Sequence, residues 1–162
     1  MHLLTQFNQH CIDSADNIAF IEADKQLSYQ QVRLQVDQLS RQLSTLQPAI
    51  QRVAIALERG IDAAITIYSV LNIGCCYIPL DIKNPANRLR FIVNDADAQL
   101  VVGQGLCPAW LDNSQLWVDI NQLPAEYSKV KPRPITIESL AAILYTSGST
   151  GNPKGVALSY LA

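Results

Sequence analysis

The chain has 162 residues, 49% of them apolar and 16% charged, with a formal net charge of −2. A sequence of that length and hydrophobicity can bury roughly 70% of its unfolded surface in one core, which excludes an intrinsically disordered chain. Lysines and arginines are scattered rather than gathered on one face, so nucleic acid is excluded as a partner class.

Leu3, Leu4, Phe7 and Cys11 recur at helical spacing, and the polar cluster from Asp13 to Asn17 ends that helix before an apolar strand over Ile18 to Ile21. The opening Met1-His2-Leu3-Leu4 turns polar at once, unlike the basic-then-apolar order of a secretory leader, and points to the cytoplasm. Ser28 with Gln31 forms a capping box. It opens a helix whose Val32, Val36, Leu39, Leu43 and Leu46 form one apolar stripe, which Pro48 stops.

Val53 to Leu57 is a short apolar run, as expected for a strand covered on both faces. A second long helix follows from Ile61 to Ile73, with Gly74 as its C′ residue, and Tyr77 to Leu80 returns as strand. Asn84-Pro85 sets a cap and first-turn proline for a helix reaching about Asp95, followed by the strand Leu100 to Val102. Two more strands are expected at Leu116 to Ile120 and Leu140 to Tyr145, joined by a connection carrying Pro124, Pro132 and Pro134. Lys129, Lys131 and Arg133 sit in that connection as a solvated linker. The alternation defines an α/β fold: a layered, mostly parallel sheet flanked by helices.

The uncharged stretch from Ala63 to Leu80 is long enough to raise a membrane span, but Gly74 and Pro79 break it and Asp62 and Asp81 flank it. It reads as a buried helix and a buried strand, with no membrane partner. The 4 cysteines, Cys11, Cys75, Cys76 and Cys107, show no metal-ligand spacing. Cys75 and Cys76 read as small core hydrophobes, and His2 and His10 as surface histidines. Gly103-Gln104-Gly105 hints at a dinucleotide fingerprint, but Pro108 occupies its third glycine position.

Chemistry concentrates in Tyr145-Thr146-Ser147-Gly148-Ser149-Thr150-Gly151-Asn152-Pro153-Lys154-Gly155-Val156. Gly148, Gly151 and Gly155 let the backbone approach a ligand and turn successive N–H groups toward one anion. Thr146, Ser147, Ser149 and Thr150 add hydroxyl donors, and Lys154 adds a full positive charge suited to phosphate oxygens. The Walker loop fails as a template, because Pro153 replaces its second glycine, Gly155 replaces its Ser or Thr, and a strand rather than a helix is expected after Lys154.

The order T-S-G-S-T-G-x-P-K-G-V instead resembles the signature loop of the adenylate-forming ligases, which include amino-acid adenylation domains, acyl-CoA synthetases and luciferases. Leu27-Ser28-Tyr29 resembles the opening motif of that family. Leu71-Asn72-Ile73-Gly74-Cys75-Cys76-Tyr77-Ile78-Pro79-Leu80-Asp81, with Pro85 and Arg88-Leu89, resembles its second motif. The resemblance covers the whole chain but only the opening part of a family enzyme, so residues 1–162 are expected to be an N-terminal fragment of an adenylation domain ending just after the phosphate loop. Ser159 likewise reads as the cap of a helix that Tyr160, Leu161 and Ala162 only begin.

The resemblance implies that Thr146, Ser147, Gly148, Ser149, Thr150, Gly151 and Lys154 grip the β- and γ-phosphates of ATP, with Lys154 as the catalytic cation. It implies a small carboxylate as substrate, a carrier protein or coenzyme A as acyl acceptor, and magnesium ligands in sequence that lies downstream. Ser149 and the run Cys76 to Asp81 favour the amino-acid branch of nonribosomal peptide synthetases. The alternatives are a fragment of an acyl-CoA synthetase and a non-catalytic phosphate-binding or interaction remnant. As a fragment the chain is expected to be inactive alone and to self-associate through strand edges near Leu144 and Val156. Tyr160 stands where many family members carry His, and a phenol is no base at neutral pH. Asp81 and Arg88 read as turn and helix-face residues that support the fold.

Overall fold

The computed structural model describes residues 3–46, 50–123, 134–136, 138–146 and 153–160. Helix α1 spans Leu3–Asp13, and strands β1 (Ile18–Glu22) and β2 (Lys25–Ser28) form a small antiparallel hairpin turned at Ala23, whose φ is 48°. Strand β2 is absent from the sequence-based expectation. Its residues Lys25, Gln26, Leu27 and Ser28 bury only the leucine, so no apolar alternation marks it.

Helix α2 (Tyr29–Leu46) opens as its capping box requires: Ser28 Oγ accepts from Gln31 N at 3.3 Å and Gln31 Oε1 accepts from Ser28 N at 2.8 Å. The stripe follows the sequence, with Val32, Val36, Leu39 and Leu43 buried. Removing each such side chain from water stabilises the fold by roughly 1.5–3 kcal/mol. Pro48 lies outside the described residues.

Strand β3 (Arg52–Ala56), helix α3 (Ile61–Asn72), strand β4 (Cys76–Pro79), helix α4 (Ala86–Asp95) and strand β5 (Leu100–Gly103) follow in order, then β6 (Leu116–Asp119), β7 (Leu140–Thr146) and β8 (Lys154–Ser159). Among the described residues the main sheet has 6 strands in the order β6-β5-β3-β4-β7-β8, and every neighbouring pair is parallel except β7 with β8. Ser159 therefore closes a strand opposite Leu140, where the sequence suggested a helix cap.

Strand alternation divides the core. Val53, Ile55, Leu100 and Val102 face α1, α2 and α3, whereas Ala54, Ile78 and Val101 face α4. Helices α2 and α3 approach closely through Ser40 and Ser69. The Ser69 hydroxyl donates to the Ile65 carbonyl at 2.7 Å and lies 3.3 Å from that of Val36, while Ser40 Oγ donates to Ser69 O at 3.3 Å. Cys75 and Cys76 are buried, as expected for small core residues. Gly103 ends β5 beneath the Trp117 indole, which would collide with any side chain there, and Trp117 Nε1 donates to Gly105 O at 3.1 Å. That packing accounts for Gly103, and a φ of 79° accounts for Gly105, without a dinucleotide.

The α4 start differs from the expected order. Pro85, with φ −56° and ψ 147°, is the capping residue itself, and its carbonyl accepts from Arg88 N at 2.9 Å. Asn84 turns its side-chain amide back to Asp81 O at 3.0 Å, so it completes the preceding turn rather than the helix. Among the described residues no helix is long and apolar enough to cross a membrane.

Candidate functional site

All the parallel strands present their carboxyl ends on one edge of the sheet, the side on which open α/β sheets hold ligands. Strand β7 sits beside β4, with Ala142 opposite Tyr77, and delivers Thr146 to that edge. Strand β8 returns antiparallel, so Thr146 lies directly across from Lys154. The pairing extends further into the glycine-rich segment than expected, because the ladder continues through Tyr145 with Gly155. Ser147, Gly148, Ser149, Thr150 and Gly151 lie outside the described residues. Of the sequence-predicted group, the structure thus brings together Thr146 and Lys154, both exposed at the mouth of the hairpin.

Lys154, at that hairpin mouth, begins a strand and not a helix, in keeping with the failed Walker pattern. Neighbouring side chains restrain that mouth. Tyr145 donates its phenolic proton to Asp95 Oδ2 at 2.6 Å, a short charge-assisted bond, and burial together with this bond raises its pKa above the ordinary tyrosine value. On the α3 side, Tyr160 donates to Leu71 O at 3.2 Å, and burial raises its pKa too. Tyr160 is therefore a neutral anchor of the chain after β8.

A cleft of about 610 Å³ opens beyond β3 and β4, where Glu58, Arg59, Asp81 and Lys83 rim an apolar floor that includes Ile55 and Pro79. Asp81 serves its own turn, accepting from Lys83 N at 3.1 Å. Arg88 sits in the first turn of α4 with its Nε buried and, among the described residues, without a hydrogen-bond partner. No group of His, Cys, Asp and Glu that could hold a metal occurs among the described residues.

Two long-range contacts escaped sequence reasoning. Tyr145 and Asp95 are far apart in the chain, and Glu22, at the end of β1, accepts the Ile61 amide at 3.1 Å at the start of α3. Gly60 has no room for a side chain because the Glu22 carboxylate lies against it. A glycine just before an apolar helix was the available signal, but nothing local named its partner.

Thr146, Lys154 and Gly155 thus stand on paired strands at the carboxyl edge of a mostly parallel α/β sheet. The family model described as "AMP-binding enzyme" matches residues 7–162, and the chain belongs to that family. It is 35% identical to nonribosomal peptide synthetase acrB of Aspergillus aculeatus over 98% of its length, and 31% identical to tyrocidine synthase 1 of Brevibacillus parabrevis over 90%. The chain spans 10% and 14% of those two relatives. The fold matches the N-terminal subdomain of Klebsiella oxytoca NpsA in complex with 3-hydroxybenzoyl-AMSN at a TM-score of 0.85 and 22% identity, covering 98% of this chain and 41% of that one. It also matches o-succinylbenzoate coenzyme A synthetase of Bacillus subtilis in complex with ATP and magnesium ion, at a TM-score of 0.84 and 17% identity, covering 98% and 43%.

Proposed function

We propose that this chain forms the phosphate-gripping part of a ligase that activates a carboxylate with ATP. The observation that carries the reading is the pairing of Thr146 with Lys154 at the carboxyl edge of the sheet, bracketing the S-G-S-T-G-N-P sequence. A carboxylate oxygen would attack the α-phosphorus of ATP, the bond from that phosphorus to the bridging oxygen would break, and pyrophosphate would leave with its growing negative charge. Lys154 would supply an ammonium to offset that charge, and Thr146 would add a hydroxyl donor. Family resemblance adds the donors of Ser147, Gly148, Ser149, Thr150 and Gly151.

The described residues do not fit magnesium. Lys154 is cationic, Thr146 is neutral, and no group of His, Cys, Asp and Glu that could hold a metal occurs among the described residues. No step is therefore assigned to a metal on this chain. Identity to the peptide synthetases favours an amino acid as the carboxylate and a carrier-protein thiol as acceptor. The likeness to a coenzyme A synthetase is one of fold alone at 17% identity and does not favour that branch.

The test is carboxylate-dependent exchange of labelled pyrophosphate into ATP. The 162-residue chain alone is expected to give none. Substituted for the matching segment of tyrocidine synthase 1, it should support exchange. In that chimera Lys154→Met should cut the rate by about 10²–10³, as for loss of one preorganised transition-state donor, while the ATP KM changes less. If the Met variant keeps its rate and only raises KM, Lys154 binds ground and transition states alike and the proposed role is wrong.

A further inference from the structure

The hairpin that carries Thr146 and Lys154 has a fixed side and a free side. Side chains alternate along each strand, so Tyr145 and Gly155, which face each other across the ladder, lie on one surface, and the pair Thr146 and Lys154 lies on the other. The Tyr145 surface is the one turned toward α4, since Ile143 and Tyr145 pack against the core cluster that contains Leu89, Ile92 and Val93 of that helix. There the phenol reaches Asp95, the last residue of α4, at 2.6 Å. Its ring also covers Gly155 so closely that a methyl on that residue would stand 3.0 Å from Tyr145 Cζ and 3.2 Å from its oxygen. The glycine beside the lysine thus has a steric cause that needs no ligand: the ring occupies the space of its side chain.

We propose that Asp95, Tyr145 and Gly155 form a latch that sets the roll of the β7–β8 hairpin against α4, and so fixes where Lys154 and Thr146 are presented. Tyr145 and Asp95 are positioning residues that touch no phosphate themselves. A hairpin held only by its ladder to β4 can rotate about that strand. Pinning one face at its tip removes this freedom, and the lysine on the opposite face inherits the restraint. The functional meaning of the latch rests on the reading of Lys154 as a phosphate group, but the restraint itself does not.

Two measurements on the 162-residue chain separate these. The first is amide hydrogen exchange in wild type, Tyr145→Phe, Asp95→Ala and Asp95→Asn. Loss of a hydrogen bond to a charged acceptor should speed exchange at residues 144–146 and 154–156 by about tenfold in the Phe and Ala variants, with α2 and α3 unchanged. Asn keeps an acceptor oxygen but no charge and should fall between wild type and Ala. The double variant Tyr145→Phe with Asp95→Ala should be no faster than either single one, since both remove the same bond. Gly155→Ala should speed exchange as well, by displacing the ring while leaving both partners present.

The second measurement is an ATP titration. The latch variants should weaken ATP binding by about three- to tenfold, with the urea midpoint lowered by no more than about 0.7 M at unchanged slope, and Lys154→Met provides the reference loss. Faster local exchange without any ATP binding by wild type leaves the latch standing and overturns the phosphate reading of Lys154 on this chain. Unchanged exchange in the Phe and Ala variants overturns the latch, whatever the titration gives.

Discussion

Gly74 is the position at which backbone geometry alone makes a quantitative demand. It follows α3 with φ 76°, a conformation in which a Cβ crowds the next carbonyl. The turn it makes carries two bonds, Gly74 N to Leu71 O at 3.0 Å and Cys75 N to Val70 O at 3.1 Å, which satisfy carbonyls left open at the helix end. They also aim the chain so that Cys76 enters β4 beside β3, with Cys76 N bonded to Gln51 O at 2.8 Å. Gly74→Ala should cost about 1–2 kcal/mol, the penalty for one L-residue in the left-handed region. With a urea m-value near 2 kcal/mol/M, the midpoint should fall by roughly 0.5–1 M at unchanged slope. Gly74→Asn should lose about half as much, since Asn tolerates this conformation, and Gly74→Val should lose more. An alanine variant as stable as wild type would refute the backbone argument. An asparagine variant as damaged as the valine one would show that packing, and not φ, sets the cost.

Other outcomes follow from the same contacts. Glu22→Gln keeps an acceptor for the Ile61 amide but removes the negative charge at the N-terminus of α3, and should lower the melting temperature by about 1–3 °C in low salt and by less in 0.5 M NaCl; a loss that does not shrink with salt excludes a charge effect. Burial raises the Cys76 thiol from 9.0 to about 11 and also raises Tyr68, Tyr77, Tyr145 and Tyr160, so the unfolded chain releases these protons first and stability should hold up to about pH 9 and fall above it. A urea midpoint that stays level from pH 8 to pH 11 contradicts that sign. Among the described residues β8 has a bonded neighbour on one side, and its Val156 is 47% exposed, so light scattering should show a mass that rises with concentration; a constant monomer mass removes the expectation.

What could be read from the chain, and what could not, divides by distance along the sequence. The capping box at Ser28 and Gln31, the stripe from Val32 to Leu43 and the left-handed Gly74 each depend on residues within a few positions of one another, and each stands in the structure as read. So does the reading of Cys75 and Cys76 as core, because an uncharged run of that length has nowhere to go but inside. Strand β2 was lost because a short, mostly polar edge strand carries no periodic signal, and the Asn84-Pro85 order failed because Asp81 competes for the asparagine side chain. The candidate site shows the same division more sharply. Its donors were legible as residue types in order, since phosphate chemistry demands hydroxyls, glycines and a cation in close succession. The constraints on Lys154 were not. Whether a lysine stabilises charge in a transition state or merely attracts an anion depends on how firmly its strand is held, and the residues that hold it, Asp95 on α4 and the Tyr145 ring over Gly155, come from another helix and the facing strand. A loop motif can therefore name a candidate group while the fold decides how precisely that group is aimed. In this chain, that precision is the quantity the Tyr145 and Asp95 variants measure.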